Sequence, residues 1–205
     1  MSVALLVLAT LLGWNAVFLL TADRGVLPWI AATATVMALA GAVLAGPEAR
    51  ARWLARPLRG LLQGAGVAVL LVAASLVAWS ARGVLPLDIT SEVAGLYAVL
   101  RRPPGPVVGF PLMFITIVAE EILFRGVLQD ALRARVGPTA AVVLAAVVYA
   151  LSNLGSGTWV LPLLALLLGG LWGLLAERSG GLWLPLACHI LWDAALFVVV
   201  PLVPA

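Results

Sequence analysis

No lysine occurs anywhere in the chain, and histidine and cysteine occur once each. Charged residues of both signs make up 10% of the sequence, against roughly 25% in a soluble domain. That is too little charge to solvate a globular surface, and it excludes a soluble protein. The single Cys188 excludes an internal disulfide and says nothing about compartment. All twelve basic residues are arginine; with Ala, Gly and Pro also abundant, this fits a GC-rich genome and carries no functional inference. The net charge of +3 and a pI near 10.0 fit basic loops on a membrane protein and give no reason to expect nucleic acid as a partner.

What the chain has instead is apolar sequence. The hydrophobic fraction is 64% and the mean hydropathy +1.16. Its 205 residues have room for roughly seven or eight spans of about 20 residues each. The expected fold is all-α, a polytopic transmembrane helical bundle in a lipid bilayer, forming a single transmembrane domain over residues 1–205.

Apolar runs predict seven spans, at 3–21, 27–46, 61–80, 107–128, 138–153, 159–176 and 182–200. No Lys or Arg precedes the first and no clear small-residue cleavage site follows it, so a retained helix is expected rather than a cleaved signal peptide. Asp23-Arg24-Gly25, Gly46-Pro47, Gly137-Pro138 and Glu177-Arg178-Ser179-Gly180-Gly181 supply turns between spans. After the second span, Arg50, Arg52, Arg56 and Arg59 stand against Glu48 alone. The positive-inside bias puts that loop in the cytoplasm, against anionic headgroups. The Arg133/Arg135 and Arg178 loops then share its side, with the N-terminus inside and the C-terminus outside. Arg24, Arg82, Arg101 and Arg102 fall on the opposite side.

Residues 82–105 form the longest polar interval. Within it Ile89, Val93, Leu96, Tyr97 and Leu100 recur at helical spacing behind Thr90-Ser91, a candidate N-cap. They predict a short amphipathic helix, ended by Arg101-Arg102-Pro103-Pro104, that either lies on the membrane or re-enters it over a site. Gly169 and Gly173, one turn apart, allow a neighbouring backbone to come close. Trp29, Trp53, Trp79, Trp159 and Trp183 sit near span ends and read as interfacial anchors. Trp14, Trp172 and Trp192 lie deeper and read as packing.

Against this background one stretch stands out, Glu120-Glu121-x-x-x-Arg125 inside the fourth span. A charge at the bilayer centre costs roughly 2.5–3.5 kcal/mol on insertion scales, so these three groups need a reason. A structural ion pair would account for Glu121 and Arg125, four apart on one helix face, but leaves Glu120 over. The other candidate polar positions within spans are Asn153, His189 and Asp193. Counted from the Arg133, Pro138 and Gly181 ends at about 1.5 Å per residue, Glu120 lies about 20 Å deep, Asn153 about 22 Å, His189 about 12 Å and Asp193 about 18 Å. Three of the four are within about one turn of each other, past the midplane towards the outer face, which points to access from the outer leaflet.

The residue types divide the work. Arg125 holds Glu121 ionised; Glu120, about 100° round the helix, is left as the general base for a water molecule. His189 and Asp193, again four apart, offer a proton shuttle and a group that orients the imidazole or supports an oxyanion. Asn153 adds an amide donor. A base, a shuttle and oxyanion donors are equipment for hydrolysing an amide. Cys188 adjoins His189, but neighbours on a helix point about 100° apart, so it reads as a small buried hydrophobe. One histidine with no other strong nitrogen or sulfur ligand speaks against zinc, and no metal or other cofactor is expected.

E-E-x-x-x-R on one span, with H-x-x-x-N/D on a late one, resembles the CPBP family of CAAX-protease and bacteriocin-processing intramembrane glutamic proteases. Glu120, Glu121 and Arg125 carry the first motif, continued by Gly126 and Leu128. Gly173 and Ser179-Gly180-Gly181-Leu182-Trp183-Leu184-Pro185 resemble the glycine-rich approach to the last motif, carried by His189 and Asp193. The resemblance covers about residues 107–195, a family-like catalytic core. It implies a metal-independent glutamic endopeptidase in which Glu120 with Glu121 activates water and His189 and Asp193 complete the site. It also implies a membrane-anchored protein or peptide substrate, and a multi-pass location in a bacterial inner membrane. The family's middle motif, F-x-x-x-H, is here Tyr149-Ala150-Leu151-Ser152-Asn153. An amide can bind a water or an oxyanion but cannot shuttle a proton. Two other readings therefore stand beside the protease: a catalytically degenerate binding or immunity protein, and a small proton-coupled transporter.

Overall fold

The computed structural model describes residues 3–21, 24–84, 88–102 and 104–203. Asp23 and Pro103, both in predicted turns, and the side chain of Leu100 lie outside it. Among the described residues every regular element is helical: α1 (Val3–Thr21), α2 (Leu27–Trp53), α3 (Pro57–Ser80), α4 (Ile89–Arg101), α5 (Pro106–Val136), α6 (Pro138–Ser152), α7 (Val160–Ser179) and α8 (Trp183–Val199). Six of these, all but α4 and α8, belong to stretches long and apolar enough to cross a membrane. α8 is apolar and just shorter, within the roughly 17–25 residues a span can use.

Boundaries follow proline and glycine. Pro57, Pro106 and Pro138 each open a helix where a missing N–H costs nothing. Gly137, at φ 82°, breaks the chain between α5 and α6. The basic segment after residue 46 is not a loop: Gly46 turns out of the helix at φ 85°, and Pro47 starts a further helical piece that runs to Trp53. Trp53 is likewise no exposed interfacial anchor. It is buried, and its indole N–H donates to Asp130 Oδ2 at 2.9 Å.

α5 outruns its predicted end at 128 and continues to Val136. From Glu121 to Gln129 its backbone widens into π-helical turns, a distortion often found at functional sites. α4 is capped two residues earlier than expected: Asp88 Oδ1 accepts from the Ser91 backbone N–H at 3.1 Å, which holds the Asp88 carboxyl below its usual range. Its apolar face is packed against protein, with Val93 and Tyr97 buried beside Val160. The Tyr97 hydroxyl donates to the Leu196 carbonyl and accepts the Leu202 N–H, while Glu92 accepts from Thr158 Oγ1 and the Trp159 N–H. α4 is thereby tied to the start of α7 and the end of α8.

α3 packs along α8, α6 along α7, and α2 against α5. The first contact depends on Gly60 and Gly64. A Cβ at Gly64 would lie 2.5 Å from the Leu184 carbonyl oxygen and 2.7 Å from the Ala187 Cβ. Such close backbone approach is how membrane helices associate without a hydrophobic driving force. Gly64→Ala is expected to destabilise the bundle by about 1–3 kcal/mol through overpacking, measured as a lower denaturation midpoint in detergent. Gly66, with nothing near its Cβ position, is the control, and an equal effect there would remove the explanation.

Candidate active site

The first motif stands where α5 widens. Glu120 is the last residue of the regular α-helical part and Glu121 the first of the wide turns. Both are buried, with Glu120 7% exposed and Glu121 1%. Charged side chains are almost never found so deep without partners, and each has a different set.

Glu121 is the hub. Its Oε1 lies 3.3 Å from Arg125 Nη1 and 2.9 Å from His189 Nδ1. The expected Glu121–Arg125 pair is present, and the same oxygen reaches across to α8. Arg125 is enclosed by aromatic rings, its guanidinium carbon 4.8 Å from the Tyr149 ring centre and 5.4 Å from that of Trp172. Planar, weakly hydrated guanidinium suits such a cage. Gly169 makes room for it, because a Cβ there would meet Tyr149 Cδ1 at 2.9 Å and Arg125 Nη2 at 3.3 Å.

Glu120 points elsewhere. Its Oε2 accepts from the Tyr149 hydroxyl at 2.7 Å. The two adjacent carboxylates thus make different direct contacts, one with a cation and an imidazole, the other with a phenol whose ring lies over that cation. Tyr149 was missed as a site residue. The available signal was a hydroxyl within an apolar span, which needs a partner when buried, at the position where the resembled motif has phenylalanine. Tyr149→Phe keeps the ring over Arg125 and removes only the bond to Glu120. If Glu120 is the base, turnover should fall about tenfold, the equivalent of one ~1.4 kcal/mol hydrogen bond, with the fold intact. An unchanged rate constant in a single-turnover assay would show that the phenol plays no part.

His189 is held differently from the expectation for Asp193. Glu121, not Asp193, orients the ring through Nδ1, because Asp193 Oδ2 stands 3.8 Å from Nε2, beyond hydrogen-bond reach. Trp172 stacks on the imidazole with centroids 3.5 Å apart, so it contributes more than packing. With Nδ1 facing a carboxylate, Nε2 is the nitrogen left to exchange a proton on the Asp193 side. Asp193 is buried at 8% exposure, close enough to meet Nε2 through a small molecule.

Asn153 is buried at the C-terminal end of α6, and its amide nitrogen donates to the Tyr149 carbonyl one turn back at 2.8 Å. It therefore caps its own helix and ties Tyr149 in place; no bond from it to Glu120, Glu121 or His189 is present among the described residues. Cys188 is fully buried. Among the described residues no group of three or more His, Cys, Asp and Glu side chains is arranged to hold a metal ion.

The arrangement can polarise a small hydrogen-bonding molecule at Glu120 and pass a proton at His189, inside a low-dielectric bundle. Compared with known families, residues 103–195 match the model described as Type II CAAX prenyl endopeptidase Rce1-like. No curated protein and no solved structure matches the chain.

Proposed function

We propose, for a chain whose residues 103–195 match the type II CAAX prenyl endopeptidase Rce1-like family model, that peptide-bond hydrolysis runs on a glutamate-activated water. The family makes the protein a membrane endopeptidase, and its apolar helices make it a multi-pass membrane protein. The glutamic mechanism is our reading. The observation that carries it is the difference between the two carboxylates: one oxygen of Glu121 meets both Arg125 and His189, whereas Glu120 meets only the Tyr149 phenol among the described residues.

In this reading Glu120 takes a proton from water as the oxygen attacks the scissile carbonyl. The Tyr149 hydroxyl fixes the carboxylate so that its other oxygen meets the water. Glu121 sets the His189 ring as the carboxylate of a catalytic triad does, so that Nε2 can take up the proton that Glu120 removed from the water and pass it to the leaving amine. Arg125 pairs with Glu121. Asp193 supports the oxyanion or the shuttle from the far side of the ring. Asn153 acts through Tyr149 as a positioning residue, which is compatible with an amide there in place of a histidine. The catalytic core is residues 107–195, within a single transmembrane domain over 1–205, and no metal is required by these roles.

The substrate is a membrane-bound or membrane-proximal protein, cleaved during maturation or in trimming a C-terminal anchor, and the setting a bacterial inner membrane. Depth of the site towards the outer leaflet favours anchor trimming over prenyl-protein processing. Co-expression of candidate anchored substrates with wild-type protein and with His189→Ala tests the reading. Cleaved product should form with the wild type and fall below detection with the variant. Undiminished processing by His189→Ala at matched expression would overturn the shuttle and favour the degenerate-binder alternative. Uptake by proteoliposomes that needs Glu120 would instead favour a transporter.

A further inference from the structure

A cavity of about 100 Å³ enters the bundle from its arginine-rich face, between α5 and the α7–α8 turn. Its wall includes Trp53, Arg125, Gln129, Asp130, Arg133 and Glu177. The mouth is polar and open: Arg133 Nε pairs with Glu177 Oε1 at 3.2 Å and Arg52 Nη2 with Asp130 Oδ2 at 3.3 Å, and the two arginine side chains are 53% and 58% exposed. The floor is Arg125, whose side chain is 2% exposed and paired with Glu121. One cavity therefore joins these ion pairs to the buried network of the candidate site.

Polar groups continue along α5 between these ends. Glu121, Arg125, Gln129 and Arg133 recur every four residues. Glu121 Oε2 and Gln129 Oε1 are buried acceptors with no hydrogen-bond partner among the described residues. Gln129 itself is 3% exposed and is held by its amide nitrogen, which donates to the Gly173 carbonyl at 3.0 Å. Gly173 is what admits it, since a Cβ there would lie 2.8 Å from Gln129 Oε1. A long polar side chain has thus been fitted beside a glycine, facing a cavity, with its oxygen unpaired.

We propose that water reaches the site by this route, from the basic face past Gln129 to Arg125 and Glu121, separately from the peptide. Arg125 and Gln129 line the cavity and Glu121 stands behind Arg125, so an occupant has to accept from the guanidinium and donate to the unpaired Gln129 oxygen. Water does both, and about 100 Å³ holds roughly three molecules at ~30 Å³ each. A lipid chain would leave every one of these groups unpaired, a phosphodiester headgroup has no hydrogen to donate to the unpaired oxygens, and a cation would face Arg125. A hydrolase embedded in lipid needs such a supply, because the substrate's approach through the bilayer brings no water with it. The inference rests on the hydrolytic reading above for its purpose, and on the cavity and unpaired acceptors for its existence.

The test reads solvent access without requiring turnover. In a Cys188→Ala background, the variants Gln129→Cys, Leu128→Cys and Arg133→Cys are reconstituted in proteoliposomes and treated with a charged, membrane-impermeant methanethiosulfonate. Position 129 should react from the Arg133 side within about tenfold of the rate at 133, and at least about a hundredfold faster than position 128, which is fully buried on the same helix. Equal inertness at 128 and 129 overturns the route. Hydroxyl-radical footprinting of the unmutated protein asks the same question: Trp53 on the channel wall should be oxidised while Trp14, 1% exposed in the core, is spared. Equal protection of the two again overturns it. Gln129→Met, close to isosteric, should lower the cleavage rate constant about tenfold without changing KM; an unchanged rate would refute any service to the reaction. Cleavage lost in Glu120→Gln with labelling at 129 intact bears on the catalytic reading alone.

Discussion

Glu120→Gln is expected to slow peptide cleavage by about 10²–10⁴-fold, the usual contribution of a positioned general base. The substitution is chosen because the amide oxygen can still accept the Tyr149 hydroxyl bond that now spans 2.7 Å. Packing volume is conserved, and removing a carboxylate from a position 7% exposed takes away a group that burial penalises. The variant should therefore fold as well as the wild type, with an equal or higher denaturation midpoint. What it lacks is a site for the water's proton. Steady-state cleavage of an anchored substrate, with binding measured in parallel, separates the possibilities. A variant that binds and does not cleave supports the base; one that cleaves at the wild-type rate removes Glu120 from the chemistry and leaves Glu121 or an unrecognised group to do its work.

The neighbouring residue should fail in a different way. Glu121→Gln leaves the Arg125 guanidinium, 2% exposed at its side chain, without the carboxylate it pairs with. It also exchanges the carboxylate that meets His189 Nδ1 at 2.9 Å for an amide. Breaking a buried pair by removing one member costs about 3–5 kcal/mol, whereas replacing both by groups of similar shape is often nearly neutral. Glu121→Gln alone should thus lower stability by about that amount, and Glu121→Gln with Arg125→Met should recover most of it. Activity should be lost in both, since neither orients His189 as a carboxylate does. Chemical denaturation in detergent with a double-mutant cycle gives the coupling. A single-variant loss below about 0.5 kcal/mol would mean that solvent reaches the pair and screens it. Two adjacent glutamates, one costly to the reaction and one costly to the fold as well, is the pattern expected of these different contacts.

How much of this could be read from the chain varies with the range of the interaction. Spans were legible because twenty apolar residues between Pro and Gly have no other stable state in lipid than a helix. The Glu121–Arg125 pair was legible for the same reason, being set by helical spacing within a single element. The Gly60/Gly64 face of α3 was as visible in spacing as Gly169/Gly173, yet spacing alone does not say which helix lies against it. Gln129 and Tyr149 looked like ordinary residues of polar or aromatic type. Their importance depends on Gly173 and Glu120, 44 and 29 residues away.

The sequence by itself determined that this is a helical membrane protein, that its buried charges cluster on one helix with partners on later ones, and which family model its residues 103–195 match. These follow from hydropathy, from the fixed geometry of the helix and from a local motif. Only the tertiary structure decided who pairs with whom: that Glu121 rather than Asp193 holds His189, that Glu120 is held by Tyr149, and that Asn153 caps its own helix. Such partnerships depend on the rotation and depth of α5, α6 and α8 against each other. Rotation and depth are set by glycine contacts and by wide helical turns, whose effect a linear pattern of side chains does not encode.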